Sequence, residues 1–332
     1  MKHRILHFVA GAMSLLLAGG LFAQEIVDTA YVAEAAKRGA IVWDVRDADA
    51  YKAGHIPGAV NIGNAGDVLR DPNTEDFVAT ERIEKLLNDG GIDLGKEVIV
   101  YSRKGDPYAY WGLTAVRYFG GRKGRIYHGG FDDWSAAGQP VSKEATKLPP
   151  VSQKLVVVPG EMVFTKDVVA KLKDPNVQFV DARTPKEYSG EDIRSLRGGH
   201  LPGAKSIPYE QNWVDPATGA KLASKQVRTR DGMALKTQAD LKALYAGLDP
   251  NKETVVYCQS GVRASETATV LRDLGFTKVQ VFEESWLGYG NTLDAPVEGV
   301  KFVNVGALKS QIRSLESAVE ELQAQVAAMQ KK

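Results

Sequence analysis

The chain has 332 residues, 44% of them apolar, and a formal net charge of +1. That length and apolar content suffice for two domains with cores of their own. The balanced charge gives no reason to expect nucleic acid or a membrane surface as partner, which leaves a small molecule as the expected substrate.

The first residues read as an export signal. Lys2, His3 and Arg4 precede an apolar stretch from Phe8 to Phe22, and Ala23 offers a cleavage point in the charged, apolar, small-residue order of a secretory leader. Residues 1–23 are therefore expected to be a signal peptide, which makes the mature protein periplasmic or secreted. The alternative is an uncleaved amino-terminal membrane anchor, because Leu21 is a mediocre residue three positions before the cut. No later segment approaches the roughly 20 consecutive apolar residues that a membrane-spanning helix needs.

Beyond the signal the chain repeats itself with a period of about 150 residues. Ile41-Val42-Trp43-Asp44-Val45-Arg46 returns as Gln178-Phe179-Val180-Asp181-Ala182-Arg183, and Gly54-His55-Ile56-Pro57-Gly58-Ala59 as Gly199-His200-Leu201-Pro202-Gly203-Ala204. Val98-Ile99-Val100-Tyr101-Ser102 returns as Thr254-Val255-Val256-Tyr257-Cys258, in the same order. The spacing widens along the second copy, so insertions are expected at Ser189 to Arg197 and at Gln211 to Met233, around the thiol's half and placed to shape its substrate pocket. Short β-branched runs ending in polar residues read as buried parallel strands, each followed by a helical pattern. The expected fold is α/β, with one doubly wound parallel sheet in each half, residues 24–146 and 159–295, joined by a linker at 147–158.

Cys258 is the only cysteine in the chain, so in an exported protein it has no intramolecular partner and is expected to be kept for its reactivity. It opens the loop Cys258-Gln259-Ser260-Gly261-Val262-Arg263 between a predicted strand and a predicted helix from Ala264 to Leu274. Such a loop directs backbone N–H groups toward the sulfur and adds the positive end of a helix, both of which favour a thiolate. Gly261 permits the tight turn, and Arg263 is placed to meet an anion held above the sulfur. The bland alternative is a small buried hydrophobe after a strand. In the first half Ser102 stands at the cysteine's position, followed by Arg103-Lys104-Gly105-Asp106-Pro107. No base for a serine nucleophile is evident, so that half is expected to be inactive.

Together these blocks resemble the rhodanese family of sulfurtransferases in its tandem-domain form. The residues that carry the likeness are Asp181 and Arg183, the Gly199–Ala204 block, the Cys258–Arg263 loop and Glu284-Ser285-Trp286-Leu287-Gly288. The resemblance implies that Cys258 takes a sulfur from a small anionic donor as a persulfide and passes it to a thiol or to cyanide, with no metal or organic cofactor. It implies supporting places for Asp181, Arg183 and Glu187 around the active site, and for Trp286 as a pocket wall, although a core aromatic fits as well. A strand-end Asp-x-Arg also suits a structural ion pair, and His200 suits a turn histidine better than an acid or base. The loop is Cys-x4-Arg, one residue shorter than the Cys-x5-Arg of related phosphatases, which favours sulfur over phosphate. Glu187 and Ser260 depart from the Arg and Lys of thiosulfate-specific members, and Ser260 is similar to mercaptopyruvate-specific ones, but the loop as a whole resembles that of thiosulfate-type bacterial rhodaneses, which implies thiosulfate as the donor with 3-mercaptopyruvate as alternative. A persulfide- or oxyanion-binding scaffold with little turnover is the reading from another class.

From residue 304 to 332 the pattern changes. Val305, Leu308, Ile312, Leu315, Val319, Leu322, Val326 and Met329 step alternately by three and four, with β-branched residues at every a position and Leu or Met at d. A coiled-coil helix joining two copies in parallel is expected, with a trimer or an intramolecular amphipathic helix as alternatives.

Overall fold

The structure is a computed structural model that describes residues 24–330; the expected signal peptide lies outside the described residues. In the first half, strands β1 (Ile26–Val27), β2 (Ile41–Asp44), β3 (Val98–Tyr101) and β4 (Gly124–Tyr127) alternate with helices. The helices are α1 (Thr29–Lys37), α2 (Ala48–Ala53), α3 (Ala65–Val68), α4 (Thr80–Asp89), α5 (Pro107–Tyr118) and α6 (Gly130–Ala136). The second half carries β5 (Met162–Val163), α7 (Thr165–Lys171), β6 (Val177–Asp181), α8 (Pro185–Tyr188), β7 (Arg197–His200), β8 (Lys205–Ser206), α9 (Thr218–Ala223) and α10 (Gln238–Leu244). It continues through β9 (Glu253–Tyr257), α11 (Val262–Asp273), β10 (Val279–Phe282) and α12 (Ser285–Asn291), and the chain ends with β11 (Glu298–Phe302) and α13 (Val305–Gln330).

Each half forms its own parallel sheet, in the order β1-β4-β3-β2 and β5-β10-β9-β6-β8. The β-branched runs in β3 and β9 are buried throughout, as strands covered by helices on both faces require. The two sheets are equivalent strand for strand, except that β8 has as its counterpart a single parallel bridge between Trp43 and Val60. Apolar clusters lie on both faces of each sheet. Parallel strands put the loops after β3 and β9 at the carboxyl edges of their sheets, where α/β sheets place their ligands.

The halves meet through α5 and α11, the helices that follow those two loops. Val262, from the reactive loop, belongs to the core of the first half. The linker is extended and held on the first half, where the Gln153 side chain accepts from Leu94 N and donates to the Ile92 carbonyl. The two insertions go to different places. Ser189 to Arg197 lies beside the cysteine loop: Gln259 Nε2 donates to the Arg194 carbonyl at 2.9 Å. Gln211 to Met233 crosses instead to the first half, where Arg230 Nη1 donates to the Lys104 carbonyl at 3.0 Å. His128 Nε2 donates to the Met233 carbonyl at 2.8 Å. The expectation that this insertion lies around the thiol's half is corrected for its far end, which covers the Ser102 loop, while Trp213 near its start stays on Glu266 of α11. Every residue of α13 is exposed.

Candidate active site

Cys258 follows the last residue of β9 and is only 1% exposed. The loop that starts there is fixed from behind, through its carbonyls. Trp286 N donates to the Cys258 carbonyl at 3.0 Å and Leu287 N to the Gln259 carbonyl at 2.8 Å. These are first-turn N–H groups of α12, which have no partner within their own helix. The third carbonyl, of Ser260, accepts from Arg70 Nη2 of the first half at 2.8 Å. In a trans peptide the N–H points opposite to the C=O, so holding the carbonyls of Cys258 and Gln259 on α12 turns the N–H groups of Gln259 and Ser260 to the other side. Those two, with Arg263 N and Ala264 N at the start of α11, have no acceptor among the described residues. They form a set of free donors at a helix amino end, the arrangement that holds an anion. None of them bonds to the thiol itself.

Ser285 is the residue that the sequence reading did not single out. Its Oγ accepts from Cys258 N at 3.1 Å and from Gly261 N at 3.0 Å, while donating to the Phe282 carbonyl at 2.6 Å. Its φ of +47° is one of three positive values among the described non-glycine residues, and Gly130 holds the equivalent place in the first half with φ +56°. A serine in that conformation is strained, so its hydroxyl compensates through three hydrogen bonds. Gly261 turns the loop at φ +77°. A Cβ there would lie 2.9 Å from Glu283 Oε2 and 3.1 Å from the Glu283 carbonyl. Glu283 is fully buried beneath the loop with both carboxyl oxygens unpaired, and burial pushes its carboxyl up to about 8.

Arg263 does not point a free charge at the sulfur. Its Nη1 and Nη2 donate to Glu187 Oε2 and Oε1 at 2.8 and 2.7 Å, a bidentate pair. Burial acts to raise the Glu187 carboxyl, but the hydrogen bonds and charge of Arg263, with Thr184, outweigh it and hold the group down at about 2. Arg194, from the first insertion, reaches the same carboxylate at 3.3 Å. Arg263 and Arg194 are thus engaged by Glu187, and Arg70 by Glu75 and the Ser260 carbonyl, so the backbone donors are what remains for an anion.

The first half serves as a control for the supporting residues. Arg183 pairs with Asp181 through Nε–Oδ1 at 2.9 Å and Nη2–Oδ2 at 2.6 Å, and donates to the Gly199 carbonyl at 2.7 Å. Arg46 repeats this on Asp44 at 2.9 and 2.6 Å and on the Gly54 carbonyl at 2.8 Å. His200 Nδ1 donates to the Tyr188 carbonyl and its ring stacks on Tyr188 at 3.6 Å. His55 does the same with Tyr51 at 3.7 Å. Geometry shared with a half that has no thiol belongs to the fold. Trp286 is buried in the core, under the Arg183 guanidinium at 4.3 Å, with its indole N–H on the Arg197 carbonyl. Its backbone N–H meets the loop at the Cys258 carbonyl. Glu187 and Arg263 have no such counterpart, since Ala50 and Pro107 occupy the matching places.

The comparisons with known proteins agree with this geometry. Residues 28–137 and 164–292 both match the family described as "Rhodanese-like domain". The chain is a member of the rhodanese family. This tandem rhodanese is 36% identical over 270 residues to the "Thiosulfate sulfurtransferase" of Corynebacterium glutamicum, which covers 78% of this chain and 84% of that protein. It is 31% identical to the "Sulfur carrier protein TtuD" of Thermus thermophilus, over 74% of this chain and 86% of that one. Among solved structures, the 3-mercaptopyruvate enzyme SseA of Escherichia coli superposes with a TM-score of 0.66 at 26% identity, covering 79% of this chain and 99% of that one. The protein is therefore a rhodanese-family sulfurtransferase with two tandem domains.

Proposed function

We propose that this rhodanese is an exported thiosulfate sulfurtransferase working through a Cys258 persulfide. The Cys258 thiolate attacks the outer sulfur of thiosulfate, the S–S bond breaks, and sulfite leaves with the electron pair. A thiol or cyanide then takes the outer sulfur from the persulfide, and the thiolate returns. The observation that carries the reading is the row of unbonded N–H groups at Gln259, Ser260, Arg263 and Ala264, donors that suit thiolate, persulfide and leaving sulfite alike. Steady-state thiocyanate formation tests it: activity in the wild type and loss in Cys258→Ser is expected, and equal rates in the two would sink it. Running 3-mercaptopyruvate beside thiosulfate decides the donor.

The likeness to a sulfur carrier, together with a thiol that is only 1% exposed, favours one second reading, a persulfide scaffold with little turnover. Mass spectrometry separates the two, since a scaffold keeps the mass of one added sulfur after cyanide or thiol is supplied.

Export and assembly complete the proposal. Strand β1 begins at Ile26, so removal of the leader after Ala23 leaves both sheets whole; the amino-terminal mass of the exported protein checks the cut. The eight apolar a and d residues of α13 are exposed along one stripe, and a second copy of this chain is the occupant we assign to it. The facing g and e positions of a parallel pair, such as Gln311 with Glu316, set no like charges against each other.

A further inference from the structure

Arg70 is a first-half residue that ends on the reactive loop of the second. It is 4% exposed, its guanidinium lies 5.2 Å above the Trp111 ring, and it pairs with Glu75 at 3.5 Å. Its place is rigid, because Arg70 and Phe77 form an antiparallel bridge and Val78 N donates to the Leu69 carbonyl. From there Nη2 reaches the Ser260 carbonyl at 2.8 Å, an oxygen that Val262 N also meets at 3.0 Å. The other end of the same peptide group, Gly261 N–H, is held by Ser285 Oγ at 3.0 Å.

A trans peptide is planar with its C=O and N–H opposed. Two anchors at opposite ends therefore fix the plane of Ser260–Gly261, and one anchor comes from each domain. Rotation of that plane would turn its neighbours, including the Ser260 N–H that is free to meet an anion. We propose that Arg70 is a positioning residue for sulfur transfer at Cys258, supplied by the half that has no thiol. The proposal rests on the reading that Cys258 carries sulfur. It gives the thiol-less half a task in the chemistry: it completes the mould in which the reactive loop is set.

The test uses the full chain with Arg70→Met, which keeps an aliphatic arm over Trp111 but has no donor, and Arg70→Lys, which restores one. Single-turnover loading of Cys258 from thiosulfate, followed by mass spectrometry, is expected to slow about tenfold or more in Arg70→Met and to recover most of that loss in Arg70→Lys. Hydrogen exchange in the Cys258–Arg263 segment, which needs no donor, is expected to speed up in Arg70→Met and return in Arg70→Lys. A folded Arg70→Met protein that loads at the wild-type rate with unchanged exchange overturns the proposal, as does a lysine variant no better than methionine. If the wild type takes sulfur from neither thiosulfate nor 3-mercaptopyruvate, the sulfurtransferase reading fails, and exchange alone then decides the role of Arg70.

Discussion

Glu187 grips Arg263 through both carboxylate oxygens, at 2.7 and 2.8 Å, and does so only in the half that carries the thiol. A fixed negative charge beside an anion site works against a dianionic donor. Glu187→Gln retains an oxygen for Arg263 while removing that charge. The KM for thiosulfate is expected to fall about threefold to tenfold at low ionic strength, with a smaller gain in high salt. An unchanged or higher KM would show that Glu187 acts by shaping the pocket and not by charge.

Ser285 holds two loop N–H groups on one oxygen, and substitution separates its chemistry from its strain. Ser285→Gly removes the hydroxyl but suits the positive φ that Gly130 adopts in the other half. Melting temperature is expected to change little, while kcat falls about tenfold to a hundredfold because the loop loses its anchor. A glycine variant with wild-type turnover would remove Ser285 from the active-site account.

Glu283 gives a stability that depends on pH. Burial raises its carboxyl from 4.5 to about 8 in the folded protein, so between these values the folded state binds the proton and the unfolded state does not. Its contribution is complete below about pH 4.5 and is lost as pH rises through 8. Glu283→Gln should flatten this part of the profile, making the variant gain on the wild type from pH 5 to pH 9 in urea unfolding. Parallel profiles would refute the assignment. His128, pushed down to about 4 by burial, acts in the other direction, losing stability as pH falls from about 6.5 through 4.

The tail is expected to assemble the protein without touching its chemistry. Truncation after Asn304 should yield a monomer by light scattering with kcat unchanged, since no residue of α13 is buried. An unaltered mass would end the dimer proposal.

The paired histidines offer a fifth test. His200→Asn and His55→Asn should each lower the melting temperature by a similar amount, because each loses a ring stack and a bond to a tyrosine carbonyl. Turnover measured on folded protein should stay within about threefold of wild type, in keeping with a structural role. A larger fall confined to His200→Asn would make that residue part of the reaction.

Much of this was legible in the chain. Val98-Ile99-Val100 and Thr254-Val255-Val256 are buried strands whose composition allows little else, and with the two blocks before them, kept in the same order, they exposed the repeat. The loop was legible because Cys258, Gly261 and Arg263 are close in sequence. Ser285 and Arg70 were not, since they meet the loop through backbone atoms from distant segments, and no spacing records that. For Ser285 the signals were indirect: it stands in the Glu284–Gly288 block that carried the resemblance, with no role attached, and it occupies the repeat position of Gly130. Arg263 was read as a free cation because its partner Glu187 is far away in sequence, although Glu187 had already stood out as a departure. The longer insertion was assigned to the half that encodes it, yet sequence order does not say which surface a segment will cover.

Met233, at the far end of that insertion, lies so close to Gly105 that a Cβ there would meet it at 2.7 Å, and the buried Lys104 pairs with Asp133 of its own half and Asp231 of the insertion. A Ser102→Cys replacement would thus place a thiol beside a loop that the other half's insertion already covers. A chain cut at the linker would also bare the faces of α5 and α11 through which the halves meet, so each fragment would lose part of its cover.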